Sequence, residues 1–177
     1  MKNIAEEYLK ETNKSFHGLK SNAEKALAQL SDDDLHDQPD PESNSIAIIM
    51  KHLAGNMISR FTDFLSSDGE KPNRNRDGEF IDDFTSREQL MQFWNRGWTC
   101  LFNALDELKE ADLLKTVFIR NEPHTVIRAL QRQLTHYAYH CGQLVFLAKQ
   151  IKSTDFKTLS ISRGKSNEFI STPPENK

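Results

Sequence analysis

Four amphipathic segments, a single long loop and almost no strand pattern predict an all-α four-helix bundle, with the long loop between helices 2 and 3. At 177 residues, with 37% hydrophobic and 28% charged positions, the chain has room for one compact domain with its own core. That domain is placed at residues 1–170. A polar tail follows over 171–177, where Thr172-Pro173-Pro174 cannot continue a helix.

The first helix is expected over 4–30. Ile4, Tyr8, Leu9, Phe16, Leu19, Ala23, Ala26, Leu27 and Leu30 recur there at three- and four-residue steps, with Lys and Glu between them. Acids and two prolines over 31–41 break the pattern and read as a polar loop. A second helix starts near Ser43 to Ser45, where Ser and Asn can cap free backbone N–H groups. Ile46, Ile49, Met50, Leu53, Met57, Phe61, Phe64 and Leu65 form its apolar face, and Ser66-Ser67-Asp68-Gly69 ends it.

Residues 68–83 are rich in Gly, Pro, Asn and charge. A loop of that length without periodicity is more often functional or disordered than a plain connector. Thr85 and Glu88 have the spacing of a capping box at the start of a third helix, which runs to about Leu108. Between the third and fourth helices lie a short β-like run, Thr116-Val117-Phe118-Ile119, and a turn at Asn121-Glu122-Pro123. The fourth helix covers about 125–151.

Composition excludes several functions. With 23 Lys+Arg against 26 Asp+Glu, the formal net charge is -3, so no basic excess exists to neutralise a nucleic-acid backbone. Two cysteines, Cys100 and Cys141, are too few for a disulfide framework and lack CxxC spacing. The N-terminal residues carry scattered charges and no apolar core of the kind a signal peptide needs. The longest apolar run, 46–50, is far short of the roughly 20 residues of a membrane span. A cytoplasmic protein with reduced thiols is expected.

The six histidines are the residues of this composition that could carry chemistry. His136 and His140 form His-x-x-x-His on the fourth helix. Four helical residues rotate by roughly 40° and rise by roughly 6 Å, so both imidazoles project from one face and can reach one ion. The intervening Tyr137, Ala138 and Tyr139 leave out the Glu of a metalloprotease motif. The pair alone is unspecific. The third ligand candidate is His52, whose three-step neighbours Ile49 and Gly55 place it towards the packed side of the second helix. Alone, such a His is commonly a hydrogen-bonded core residue, but bundles also build metal sites from facing helices. Ala54 and Gly55 beside it allow close helix approach or space for a ligand.

His36 and His124 read as loop or helix-start residues with capping or solvated roles. His17 is assigned to the surface of the first helix or left open. Gly164-Lys165-Ser166 resembles the end of a phosphate-binding loop, but Leu159 stands where its first Gly belongs, so that match fails.

The segments NSIAIIMKHLAGNMISR and LTHYAYHCGQL, with DGEKPNRNRDGEF and ISRGKSNEF, resemble the DinB-like superfamily of small bacterial metalloenzymes over about 4–169. The resemblance implies a four-helix bundle, often homodimeric, with a three-His site to which His52, His136 and His140 all match. It further implies a divalent ion, nickel or zinc foremost, with iron and manganese as alternatives. Some relatives are transferases or isomerases that use low-molecular-weight thiols. The implied activity is therefore a thiol S-transferase acting on a small molecule, with a metal-dependent hydrolase or a non-catalytic metal-binding bundle as alternatives.

Helical spacing adds Asn56 and Arg60, four and eight residues beyond His52, and Gln143, three beyond His140, as residues that orient an imidazole or bind substrate. For Asn56 and Arg60 a solvated or inter-helix hydrogen bond is an equal expectation. Arg74, Arg76, Asp77 and Glu79 are expected either to close over the site and bind an anionic group or to form a salt-bridged surface loop. Cys141, turned about 100° from His140, is no ligand candidate. Phe93, Trp94 and Trp98 are assigned to the core or a dimer interface.

Overall fold

The computed structural model describes residues 3–168. The tail assigned to 171–177 and the end of the resemblance at Phe169 lie outside them. The chain is mainly helical: α1 (Ile4–Leu27), α2 (Ile46–Phe61), α3 (Arg87–Glu107) and α4 (Val126–Lys152), with a hairpin of β1 (Thr116–Ile119) and β2 (Glu122–Thr125) before α4. No helix among the described residues is long and apolar enough to cross a membrane.

Each long helix has a capped start. The side chains of Asn3, Ser45, Ser86 and Thr125 accept from backbone N–H groups in the first turns of α1, α2, α3 and α4. The α3 cap falls one residue later than the Thr85–Glu88 box. Ser86 accepts from Gln89 N, and the Gln89 side chain accepts from Thr85 N. The same kind of exchange occurs, shifted by one position.

The centre of the packing is α2. Ile46, Ala47, Ile49, Met50, Leu53, Ala54, Met57 and Phe61 are buried on one broad apolar face, and Ile48, His52, Asn56, Ser59 and Arg60 are buried beyond it, so most of the helix surface is covered. It crosses α3 where Ala54 meets Gly97, and a Cβ on Gly97 would lie 2.7 Å from the Ala54 Cα. Only glycine permits so close an approach. Across the core α1 packs on α4, and Trp94, Trp98, Tyr137 and Phe16 fill the interior. The Trp residues belong to the core.

Two expected boundaries change. α2 ends at Phe61 rather than near Leu65, because Thr62 leaves the helical region and Asp63 has a left-handed φ of 48°. Phe64 still packs on Phe61, at 5.2 Å between rings, but from a turn, and Leu65 is 39% exposed. Similarly, α1 stops at Leu27 while Leu30 is buried from the following turn.

The hairpin is the larger departure. Its register pairs Thr116 with Thr125 and Ile119 with Glu122 around a two-residue turn, Arg120–Asn121, with φ of 56° and 61°. Two positive φ values in succession mark the tight turn whose twist matches antiparallel strands. The expected turn at 121–123 is therefore strand from Glu122 onward. Proline is a poor strand former, and Pro123 is tolerated because this two-stranded sheet has no third strand to pair.

The segment between α2 and α3 is ordered by charge. Asp68 accepts from the backbone N–H groups of Glu70, Arg120 and Asn121, and Gly69 N donates to Phe118 O at 2.8 Å. Glu70 pairs with Arg60, Arg74 and Arg120. These contacts tie the loop to the hairpin turn on one side and to α2 on the other.

Candidate metal centre

The helical spacing that puts His136 and His140 on one face of α4 points both at His52 on α2. One ring nitrogen from each of the three imidazoles can be chosen so that all three lie within 4.8 Å of one another. The ring centroids are 5.3 Å apart for His52–His136, 5.0 Å for His52–His140 and 4.8 Å for His136–His140. His52 is 8% exposed, whereas His136 and His140 are part-buried, so the cluster opens on the α4 side.

The relative position of α2 and α4 is fixed at this level. The buried Tyr137 hydroxyl donates to Asn56 Oδ1 at 3.0 Å, one turn beyond His52 and next to His136. Burial raises the Tyr137 phenol above its ordinary range and keeps it a neutral donor. Of the two expectations for Asn56, the observed one is the inter-helix hydrogen bond.

Two of the three imidazoles have a defined tautomer. His52 Nδ1 is 3.0 Å from Glu79 Oε2, and an ionised carboxylate only accepts, so the proton sits on Nδ1. The Nε2 lone pair of His52 then faces His136 Nε2 at 3.3 Å. His140 Nδ1 donates to Gln143 Oε1 at 2.7 Å, which leaves its Nε2 as the free ligand atom. This is where spacing had put Gln143.

The donor set fits a divalent ion. Two nitrogens bound tetrahedrally at about 2.0–2.1 Å stand about 3.3–3.4 Å apart, which is the His52–His136 separation. Three imidazoles complete neither a tetrahedron nor an octahedron, so positions remain for water or substrate.

Burial also keeps ligands neutral. It pushes His136 down to about 3, with repulsion from His140 and His52 acting the same way, and it lowers His140 against the opposing Gln143 bond. An unfolded His titrates near 6.5, so the unfolded state takes up the proton first and the His136 contribution erodes as pH falls from about 6.5 towards about 3. The erosion is at most about 1.4 kcal/mol per pH unit for this group. Metal-free wild type is accordingly expected to lose more stability between pH 7 and pH 5 than His136→Gln does. Denaturant midpoints at the two pH values measure this, and equal losses would refute it.

Other candidates fall elsewhere. Arg60 donates to the Gly69 carbonyl and pairs with Glu70 at 3.1 Å. His17 stacks on Phe102 with rings 3.9 Å apart, and His36 pairs with Asp82. His124, expected in a capping or solvated role, is buried in β2 and bonded to the Glu122 carbonyl. Cys141 is buried, and burial pushes its thiol up to about 12, which suits an inert packing residue.

Glu79 has a role that spacing did not reveal. It lies in the 3-10 turn Asp77–Phe80, is 6% exposed, and touches both His52 and Arg74. Burial alone would raise its carboxyl, but Arg74 and His52 outweigh that and hold it below the usual carboxylate range. Of the two expectations for the loop, the salt bridge is present, but it is buried and ends on a site histidine. The next residue, Phe80, stacks on His52 at 5.0 Å while 46% exposed. The available signal was Gly55, which leaves room one turn from His52 for a side chain from outside the helix.

No curated protein matches the chain. Among solved structures, the crystal structure of a conserved protein from Enterococcus faecalis is similar, with 16% identity and a TM-score of 0.61. The likeness covers 79% of this chain and 94% of that one, and at this identity it speaks for the fold alone. The family described as "Protein of unknown function (DUF1572)" matches residues 3–165, and the chain belongs to that family.

Proposed function

We propose that the protein is a divalent-metal-dependent enzyme, built on a DinB-like four-helix bundle, that transfers a low-molecular-weight thiol to a small electrophilic substrate. The observation that carries the reading is the convergence of His52, His136 and His140 within 4.8 Å, with defined lone pairs on His52 and His140. Three imidazoles suit nickel or zinc, with iron or manganese also compatible. A divalent ion held there would supply Lewis acidity, favouring the thiolate form of a thiol beside it.

The chain's own residues account for positioning. Glu79 and Gln143 hold the rings of His52 and His140, and Phe80 and Tyr139 flank them with exposed aromatic surface. A cleft of about 600 Å³ beside Gln143, walled by Ile49, Tyr139, Phe146 and Leu147, has the size of a small-molecule site. In the transfer, a C–S bond forms to the electrophilic carbon, the bond to its leaving group breaks, and the thiol proton passes to solvent. Glu79 is not available as a general base for either thiol transfer or hydrolysis, because its carboxylate is committed to Arg74 and His52.

The test is elemental analysis of protein purified without a histidine tag, followed by conjugation assays. About one divalent ion per chain is expected, together with chelator-sensitive conjugation of cysteine or glutathione to an alkyl halide. Metal-loaded protein that gives no rate above background with several thiols would overturn the transferase reading.

A further inference from the structure

We propose that Glu79 is a positioning residue for His52. Seated on Gly55 and gripped by Arg74, it fixes the His52 proton on Nδ1 and aims the Nε2 lone pair into the cluster before any ion binds. The inference rests on the reading of the three histidines as a metal centre.

The grip is two-pronged. Arg74 Nε donates to Glu79 Oε1 at 2.7 Å and a terminal guanidinium nitrogen donates to Oε2 at 2.8 Å, so both oxygens are held and the carboxylate plane is set. Oε2 also receives the His52 Nδ1 proton at 3.0 Å. The Arg74 side chain is itself buried and continues to Glu70, which pairs with Arg60 and Arg120. Alternating charges thus run from the site histidine through the loop to α2 and the hairpin turn, and Glu79 is located from three directions.

The seat is specific to glycine. A Cβ at Gly55 would lie 2.5 Å from Glu79 Oε1 and 2.9 Å from its Cδ. A carboxylate held at both oxygens cannot swing aside without surrendering Arg74 or His52. Gly55 therefore admits the carboxylate, rather than giving the helices a closer approach; that approach is made next door at Ala54 and Gly97.

The three ligands are consequently unequal. His52 leans on a charged acceptor and His140 on a neutral amide. A carboxylate behind an imidazole fixes its orientation and raises its basicity, and loss of such a partner typically weakens metal binding by about 10- to 100-fold.

The experiment uses wild type, Glu79→Gln and Gly55→Ala. Long-range ¹H–¹⁵N spectra of the metal-free proteins read the His52 tautomer, and zinc titration reads affinity. Wild type is expected to be protonated on Nδ1. Gly55→Ala, which displaces the acceptor, is expected to lose that single tautomer, and both variants are expected to bind zinc about 10- to 100-fold more weakly. Gly55→Ala keeps every charge, so it tests the geometry if Glu79→Gln does not fold. A wild-type tautomer in Gly55→Ala, or zinc affinity unchanged in both variants, would overturn the assignment. Failure of wild type to bind zinc, nickel or any other divalent ion would instead sink the metal reading, while the metal-free tautomer still decides what Glu79 does.

Discussion

His136→Ala is expected to lower divalent-ion affinity by about a hundredfold. Structural zinc sites gain roughly 10–16 kcal/mol from about four ligands, so one ligand accounts for about 3 kcal/mol, a little over two orders of magnitude in Kd. The effect should reach that size because the other two ligands sit on separate helices held by independent contacts. His52 is held by Glu79, and Tyr137 ties α4 to α2 through Asn56, so neither helix can shift to replace the missing nitrogen. His17→Ala and His36→Ala are the matched controls. Each removes an imidazole engaged elsewhere, His17 stacked on Phe102 and His36 paired with Asp82, and each should leave affinity at the wild-type value. Isothermal titration of the tag-free proteins reads the difference. Equal affinities in wild type and His136→Ala would remove His136 from the centre, and an equal drop in His17→Ala would show that the losses reflect unfolding.

What could be read from the sequence follows the range of the forces involved. The four helices were legible because each is written by a local period and a local cap. His136 and His140 were legible for the same reason, since four residues on one helix suffice to place them on one face. Pairing them with His52 needed α2 and α4 to face each other, which no local signal gives and which the resemblance implied. The errors fall where a residue's neighbours come from distant sequence. Phe64 continues the apolar rhythm of α2 yet packs from a turn, because Asp63 takes a left-handed conformation that no periodicity records. Pro123 and His124 read as loop, but their strand exists through pairing with β1 and burial against α4. Glu79 is the clearest case. In a segment of Gly, Asn, Arg and Asp it looks solvated, and its burial depends on Arg74, on Gly55 and on an anchor at the hairpin turn about 40 residues away. The long loop is not disordered, and charge pairing rather than apolar contact orders it.

The second large effect concerns stability. Trp94 and Trp98 are fully buried, one turn apart on α3, with rings 5.5 Å from each other. Truncating either to Ala should cost about 3–5 kcal/mol, a large part of the roughly 5–15 kcal/mol that stabilises a domain. Substitution by Phe separates them. Trp94 Nε1 donates to Glu24 Oε1 at 3.2 Å, so Trp94→Phe gives up a charge-assisted bond that links α3 to α1 as well as some volume. Trp98 Nε1 is buried with no hydrogen-bond partner among the described residues. Trp98→Phe loses similar volume but removes a polar group whose burial without a partner costs about 1–3 kcal/mol. Ring contacts with Phe102 and Tyr137, at 5.6 and 6.2 Å, remain available to a Phe at that position. Trp98→Phe should therefore be the milder change by about 1–3 kcal/mol, although the two side chains are equally buried on the same helix. Urea denaturation of the two Phe variants measures the gap directly. If Trp98→Phe proves as costly as Trp94→Phe, ring packing rather than the indole N–H decides the stability of this layer of the core.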